Sequence, residues 1–384
     1  MEKKNKLELQ DIMQTYGEKY KQNYLINNEQ KKAMHAIANC RTYAMGSHKE
    51  KCTDCGEEYH LYNSCRNRHC PKCQYSKQQL WINTIQSLLL PVAYFHVVYT
   101  LPRLLNPLVT ANKELMYKIL LKSSSGTQLQ VSLNPSYLGA QAGMVSVLHT
   151  WGQNLSLHPH VHMLVPGGGL SADDMEWIPC AKKFFVPVKV LSAIFRARFT
   201  RELEKAYKHG KVKLPTDYKK TNIDYSDFQQ LKDNIYHTPW VVYTKKAMKG
   251  PQQVINYLAR YTHRIAISNN RIKSMEENKV CFSWKDYKDH NRWKIMQLDA
   301  MEFIRRFLQH VLPKGFYKIR YYGIYASVNR KSKLSLCVGL LGKLKQAMDI
   351  LSWVEIVELL IGRNIRICPK CKQGILYLVT TGFD

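Results

Sequence analysis

Acidic residues are scarce in this chain of 384 residues: 29 Asp and Glu stand against 57 Lys and Arg, a formal net charge of +28 and an isoelectric point near 9.6. The basic excess runs along the whole chain instead of sitting in one tail. That pattern implies a folded surface facing a polyanion, nucleic acid before an anionic membrane. Long apolar runs are missing too. The most apolar stretch, Ile85–Leu101, is broken by Gln86, Ser87, Pro91 and His96, so it reads as a helix end followed by a buried strand and not as a membrane span. The opening residues, MEKKNKLELQD, lack the apolar centre of a secretory signal, and a cytoplasmic location is expected. An even cysteine count is absent as well. Of eleven cysteines six fall in C-x-x-C pairs, a usage that excludes a disulfide framework and favours metal in a reducing compartment. Apolar residues still make up 45% of the chain, enough for a sizeable core in one large domain with appendages, or in two domains.

Helical and strand periodicities alternate without regular βαβ units, so the fold class is α+β. Helices are expected over Asn28–Cys40, Ser76–Leu90, Leu108–Lys122, Ser192–His209, Gln252–His263, Asp299–Leu312 and roughly Lys343–Leu360. Strands are expected over Tyr94–Thr100, Gly143–His149, Leu157–Val165, Lys279–Trp284 and Phe316–Tyr322. The implied organisation is an N-terminal helix and zinc-ribbon module over residues 1–80 and a core over 81–330, within which 171–240 reads as an insertion. A basic helical region over 331–384 follows.

Cys52-x-x-Cys55 and Cys70-x-x-Cys73, fourteen residues apart, form two knuckles whose four thiolates suit one tetrahedral zinc. Cys40, His48, Cys65 and His69 lie around them and offer a second ion its ligands, unless they are a packed thiol and surface imidazoles. Near the C-terminus Cys368-Pro-Lys-Cys371 repeats the string of the second knuckle, with no Cys or His after it; this half-site must borrow ligands from elsewhere or bind nothing.

The stretch LHPHVHMLVPGGG carries His160 and His162 on one face of a strand, where alternation lets both imidazoles grip one cation. Ordinary hydrogen-bonded histidines are the alternative. A turn centred near Asn154 sets His149 opposite His160 and makes it the first candidate for a third ligand, with Gln153 and His158 as rivals. Downstream, Tyr257 and Tyr261 are one helical turn apart and share a face, flanked by Arg260, His263 and Arg264; core packing is the competing explanation. Arg196, Arg198 and Arg201 give the helix at Ser192–His209 a run of one sign, suited to phosphate contact or simply solvated.

Taken together, CRTYAMGSHKEKCTDC, YNSCRNRHCPKCQ, FHVVYTLP, LHTWGQNLSLHPHVHMLVPGGGL, YLARYTHRIAISNNRI and FIRRFLQHVLPKGFYKIRYYG resemble blocks of a known family. It is the rolling-circle transposases of bacterial insertion sequence ninety-one. The resemblance covers most of the chain. It implies a histidine-hydrophobe-histidine endonuclease domain with a central antiparallel sheet flanked by helices. His160 and His162 match the metal pair, and Tyr257 and Tyr261 match two nucleophiles that form 5′-phosphotyrosine intermediates. The resemblance further implies single-stranded DNA ends of a mobile element, and target DNA, as partners, and a location at the bacterial nucleoid. Magnesium or manganese suits such a site better than zinc, because phosphate oxygens add hard ligands. Competing readings are a plasmid-type replication initiator or relaxase, and a zinc-ribbon DNA-binding regulator without catalysis.

Overall fold

In the computed structural model of the chain, the described residues are 6–180, 186–215, 223–248, 253–254, 265–342, 352–362 and 364–382. Helices α1 (Leu9–Asn23) and α2 (Asn28–Ala38) come first, followed by the hairpin β1 (Ser47–Cys52) and β2 (Glu58–Tyr62) and helix α3 (Pro71–Gln86). Next are β3 (Tyr94–Thr100), α4 (Asn106–Ala111), α5 (Lys113–Leu133), β4 (Gly143–Trp151), β5 (Leu157–Pro166), β6 (Gly168–Leu170) and β7 (Trp177–Pro179). Helices α6 (Val188–Lys208) and α7 (Phe228–His237) lead to β8 (Val241–Met248). The meander β9 (Ile272–Glu276), β10 (Lys279–Asp286) and β11 (Arg292–Asp299) precedes α8 (Ala300–Leu308) and β12 (Ile319–Gly323). The C-terminal part carries α9 (Ser335–Leu340), α10 (Trp353–Ile361) and β13 (Leu376–Gly382).

Five strands in the order β12-β4-β5-β3-β8 form the central antiparallel sheet. Strand alternation gives it two different faces. On one, Phe95, Val97, Tyr99, Leu148, Val161, Met163 and Val165 are buried in a single cluster with side chains of α5, α6 and α7, among them Tyr117, Phe195, Phe199 and Leu231. The other face carries His96, His149, His160 and His162. One end of it is closed by a cluster of Leu90, Tyr94, Val145, Leu164, Val254, Tyr325 and Leu334. The histidines are thus held on a sheet whose back is a large apolar layer.

Side-chain caps set the helix starts. Asn27 accepts from the Gln30 amide and starts α2 one residue ahead of the expected cap, and Asp299 accepts from the amides of Met301 and Glu302 to start α8. The long helix expected over Leu108–Lys122 is broken at Asn112, whose side chain bridges the carbonyls of Leu108 and Lys213; beyond it α5 continues to Leu133. Helix α1 has no counterpart among the expected elements. Most of the Gln252–His263 stretch lies outside the described residues.

The expected boundaries do not appear as breaks. Helix α3 runs across residue 80, and α1 and α2 are buried with β10 and α8 through Leu9, Ile12, Met34, Phe282, Phe303 and Phe307. Helices α6 and α7, within the expected insertion, supply the layer behind the central sheet, because their apolar stripes have no other surface to cover. The chain's last strand, β13, returns to pair with β1, so β13-β1-β2 is one sheet built from both ends of the sequence. Among the described residues no helix is long and apolar enough to cross a membrane.

Candidate active site and metal centres

Strands β4 and β5 pair with His149 opposite His160, the register that a turn near Asn154 predicts. The ring nitrogens of His149, His160 and His162 that could ligate an ion all lie within 4.8 Å of one another. The His158 carbonyl can only accept, and it lies 2.6 Å from Nδ1 of His160. His160 therefore carries its proton on Nδ1 and turns a bare Nε2 toward Nε2 of His162, 3.1 Å away. On the far side of His162, Nδ1 is 2.9 Å from Nε2 of His96 on β3. When His162 donates there, its own Nε2 is bare as well. Neighbouring ligands on an octahedral ion bound at about 2.1 Å are about 3.0 Å apart, close to this separation. The donor set therefore fits a cation.

Burial holds His96 and His160 neutral: it pushes His96 down to about 3, helped by the charge of Lys245, and His160 down to about 4, helped by His158. His149 stacks on Trp151 with centroids 4.7 Å apart. The buried His310 donates from Nε2 to the Leu155 carbonyl at 3.1 Å and accepts the Thr150 hydroxyl at Nδ1, also at 3.1 Å, which braces the β4–β5 loop. Of the rivals to His149, His158 lies outside the three-imidazole set, with its ring 5.1 Å from that of His160. The Gln153 amide instead donates to the Tyr287 hydroxyl, 3.1 Å away.

Two residues of this face escape a reading of the sequence. His96 is the one imidazole in an otherwise apolar and aromatic strand, and Lys245 stands opposite it on β8. The tyrosine pair Tyr257 and Tyr261, with Arg260 and Arg264, lies outside the described residues. Their described neighbours do not: Val254 is buried with Val145 and Leu164, while Ala266 and Ile267 are buried in the cluster that Trp151 packs against.

The cysteines divide differently from the expected pairing. Cys70 and Cys73 join Cys40 and Cys65, while Cys52 and Cys55 join Cys368 and Cys371, each set with its sulfurs within 4.8 Å of one another. The reason is where the chain goes: Cys70 caps α3, which brings the second knuckle under the end of α2, whereas the first knuckle lies at the tip of the β1–β2 hairpin beside β13. In the first set Cys73 is 3.6 Å from both Cys40 and Cys65. Hydrogen bonds from the other three thiols hold Cys73 below the usual thiol range. His48 and His69 belong to neither set. His48 pairs through Nδ1 with the Asn63 side chain at 3.1 Å, and the half-buried His69 accepts the Leu312 amide at 3.4 Å.

The basic run on α6 lies behind the sheet. Arg196 donates to the Tyr236 carbonyl at 3.0 Å and stacks on the Tyr236 ring, and Arg198 donates to Gln130 at 2.9 Å. Arg201 lines a polar groove with Lys122 and Lys205, across the sheet from the imidazoles.

Residues 12–101 match a family model described as "Transposase zinc-binding domain", and residues 143–333 match one described as "Putative transposase". The first contains both N-terminal knuckles and the second the three clustered histidines; Cys368 and Cys371 fall outside both. The chain is 44% identical over 372 residues to "Putative transposase y4qJ" of Sinorhizobium fredii, covering 96% of this chain and 93% of that one. It is 27% identical over 297 residues to "Transposase for insertion sequence element IS801" of Pseudomonas savastanoi pv. phaseolicola, covering 76% and 67%. No solved structure matches. On the agreement of the two family models with near full-length similarity to a transposase, the chain belongs to the IS91 family of insertion-sequence transposases.

Proposed function

We propose that the protein cuts and rejoins single-stranded DNA at the ends of its own mobile element, in rolling-circle transposition, with Tyr257 and Tyr261 as nucleophiles. The tyrosine oxygen attacks a backbone phosphorus, the bond from phosphorus to the 3′ oxygen breaks, and a 5′-phosphotyrosine and a free 3′-hydroxyl result. Religation reverses the step: a 3′-hydroxyl attacks the ester and tyrosine leaves, so the bond energy is kept and no nucleotide is consumed. Two tyrosines permit two successive transfers, one end being held while the other is cut.

His160 and His162 would hold a divalent ion with His149 as third ligand, and magnesium or manganese bound there would polarise the scissile phosphate. His96, at Nδ1 of His162, would fix the tautomer of that ring, the part that partners of metal-binding histidines play in general. Lys245, opposite His96, places a positive charge beside the same face for the strand's phosphates. The observation that carries the reading is the three-imidazole cluster with two facing nitrogens 3.1 Å apart. Val254 and Ala266, which bracket the tyrosine stretch in sequence, are buried beside β4 and β5 residues of the histidine face, which supports the reading.

The test is a labelled single strand carrying the element's terminus, incubated with protein and magnesium and resolved under denaturing conditions. Wild type should leave DNA covalently attached, and Tyr257→Phe with Tyr261→Phe should leave none while still binding the strand. A double variant that still forms the adduct refutes the assignment. Binding with no adduct from wild type would mark a DNA-binding regulator instead.

A further inference from the structure

We propose that Cys52, Cys55, Cys368 and Cys371 hold a second zinc ion, separate from that of the Cys40, Cys65, Cys70 and Cys73 set, and that this ion clasps the two ends of the chain together. Sulfur spacing is the first support. Cys52 Sγ lies 3.6 Å from Cys371 Sγ, and Cys55 Sγ lies 3.7 Å from Cys368 Sγ. A tetrahedron of sulfurs at about 2.3 Å from zinc has edges of about 3.8 Å, while a disulfide needs about 2 Å. The spacing is that of four ligands around an ion.

The backbone is shaped to the same end. Each pair sits in a tight knuckle: the Cys52 amide donates to the Glu57 carbonyl at 3.0 Å, and the Cys368 amide to the Gly374 carbonyl at 2.8 Å. The Gly374 amide donates to Cys371 Sγ at 3.3 Å, a contact that favours a thiolate over a thiol. A Cβ at residue 374 would fall inside contact distance of Cys52 Sγ and of the Asp54 side chain, so only glycine lets the C-terminal knuckle close over the N-terminal one. The two knuckles are also tied directly. The Thr53 amide donates to the Ile375 carbonyl and the Ile375 amide to the Thr53 hydroxyl, both at 3.0 Å, and Lys370 pairs with Glu57.

An ion is needed here on energetic grounds. Cys40, Cys70 and Cys73 belong to a large apolar cluster, whereas Cys52 and Cys368 belong to none of the described clusters. The sheet β13-β1-β2 leaves Leu61, Tyr62, Tyr377 and Leu378 exposed. A three-stranded sheet without its own core gains its stability from metal, and four thiols release their protons as zinc enters.

The experiment uses the full chain purified without chelator. Elemental analysis should give about two zinc ions per chain, one per four-thiolate set, and Cys368→Ser with Cys371→Ser should lower this to about one. One zinc in wild type, or two in the variant, overturns the proposal. Because the variant could lose its fold, wild type is also alkylated and mapped by mass spectrometry. Cys55 and Cys371, although reachable by solvent, should resist alkylation until a chelator is added, while Cys281, outside both sets, should react at one rate throughout. Free alkylation of Cys55 and Cys371 without chelator overturns it equally.

Discussion

The histidine face and the paired cysteine knuckles both gather ligands for an ion, but they are built in opposite ways. His149, His160 and His162 lie on one hairpin, and the register of two adjacent strands brings them together. The hairpin's other face is anchored in an apolar layer of α5, α6 and α7. The Cys52 set spans 319 residues of chain between Cys52 and Cys371 and rests on almost no apolar burial. On the proposed reading, shape would precede metal at the histidines, and metal would complete shape at the knuckles. A catalytic ion has to be met by a preformed site, whereas a structural ion serves as a substitute for a core.

The largest effect expected from this contrast comes with chelation. Stripping zinc removes an apparent binding free energy of roughly 10 kcal/mol or more per site from the folded state. Hydrogen exchange should then show β1, β2 and β13 losing protection nearly completely while β3, β4 and β5 keep theirs. Equal loss in the central sheet would break the comparison, since the histidine scaffold would then depend on the ribbon.

Substitution on the histidine face should do the reverse, sparing the fold and harming the chemistry. Replacing His162 with Ala should lower formation of the covalent adduct by about 100-fold or more, by loss of electrostatic stabilisation at the phosphate, with strand binding retained. Thermal unfolding should shift little, because the ring is only partly buried and its removal leaves the apolar layer intact. The next step down is His96→Ala. On the proposed mechanism His96 is a positioning residue, so its loss should weaken metal activation by about 10-fold to 100-fold, and excess metal should restore the rate. A rate that no metal concentration restores would show that His96 acts on the reaction directly.

How legible each region is follows from the same contrast. The pairing of His149 with His160 is fixed by a constant sum of residue numbers across a short turn, so it can be written down from the sequence. So can strand β3, a β-branched and aromatic run, and helix α8 with its Asp299 cap. The cysteine sets cannot. Two C-x-x-C knuckles fourteen residues apart look like one site, and nothing local says that Cys70, as cap of α3, turns toward Cys40 while Cys52 waits for a strand at the other end of the chain. The part that α6 and α7 play behind the sheet is hard to read for a related reason. The run of Arg196, Arg198 and Arg201 draws attention to the charged side of α6, but its position is set by Phe195, Phe199 and Leu203 on the other side.

The smallest effects are expected at the two histidines that stand near the cysteines without joining them, and these sharpen the division of ligands. His69 is half-buried, and its Nε2 accepts the Leu312 amide, so His69→Ala leaves a backbone donor without its partner at a cost of about 1–3 kcal/mol. His48 pairs with Asn63 and approaches Glu50 at 3.8 Å on a partly exposed strand, so His48→Ala should cost no more than about 1 kcal/mol. Neither change should alter the zinc content, because each four-sulfur set is complete without nitrogen. Elemental analysis of the two variants beside a thermal melt separates the outcomes. A lower melting point with full zinc marks a packing residue, as at His69, and an unchanged melt with full zinc marks a bystander, as at His48. Loss of about one zinc from either variant would mean that a histidine replaces a sulfur as ligand, and the division into two thiolate sets would have to be redrawn.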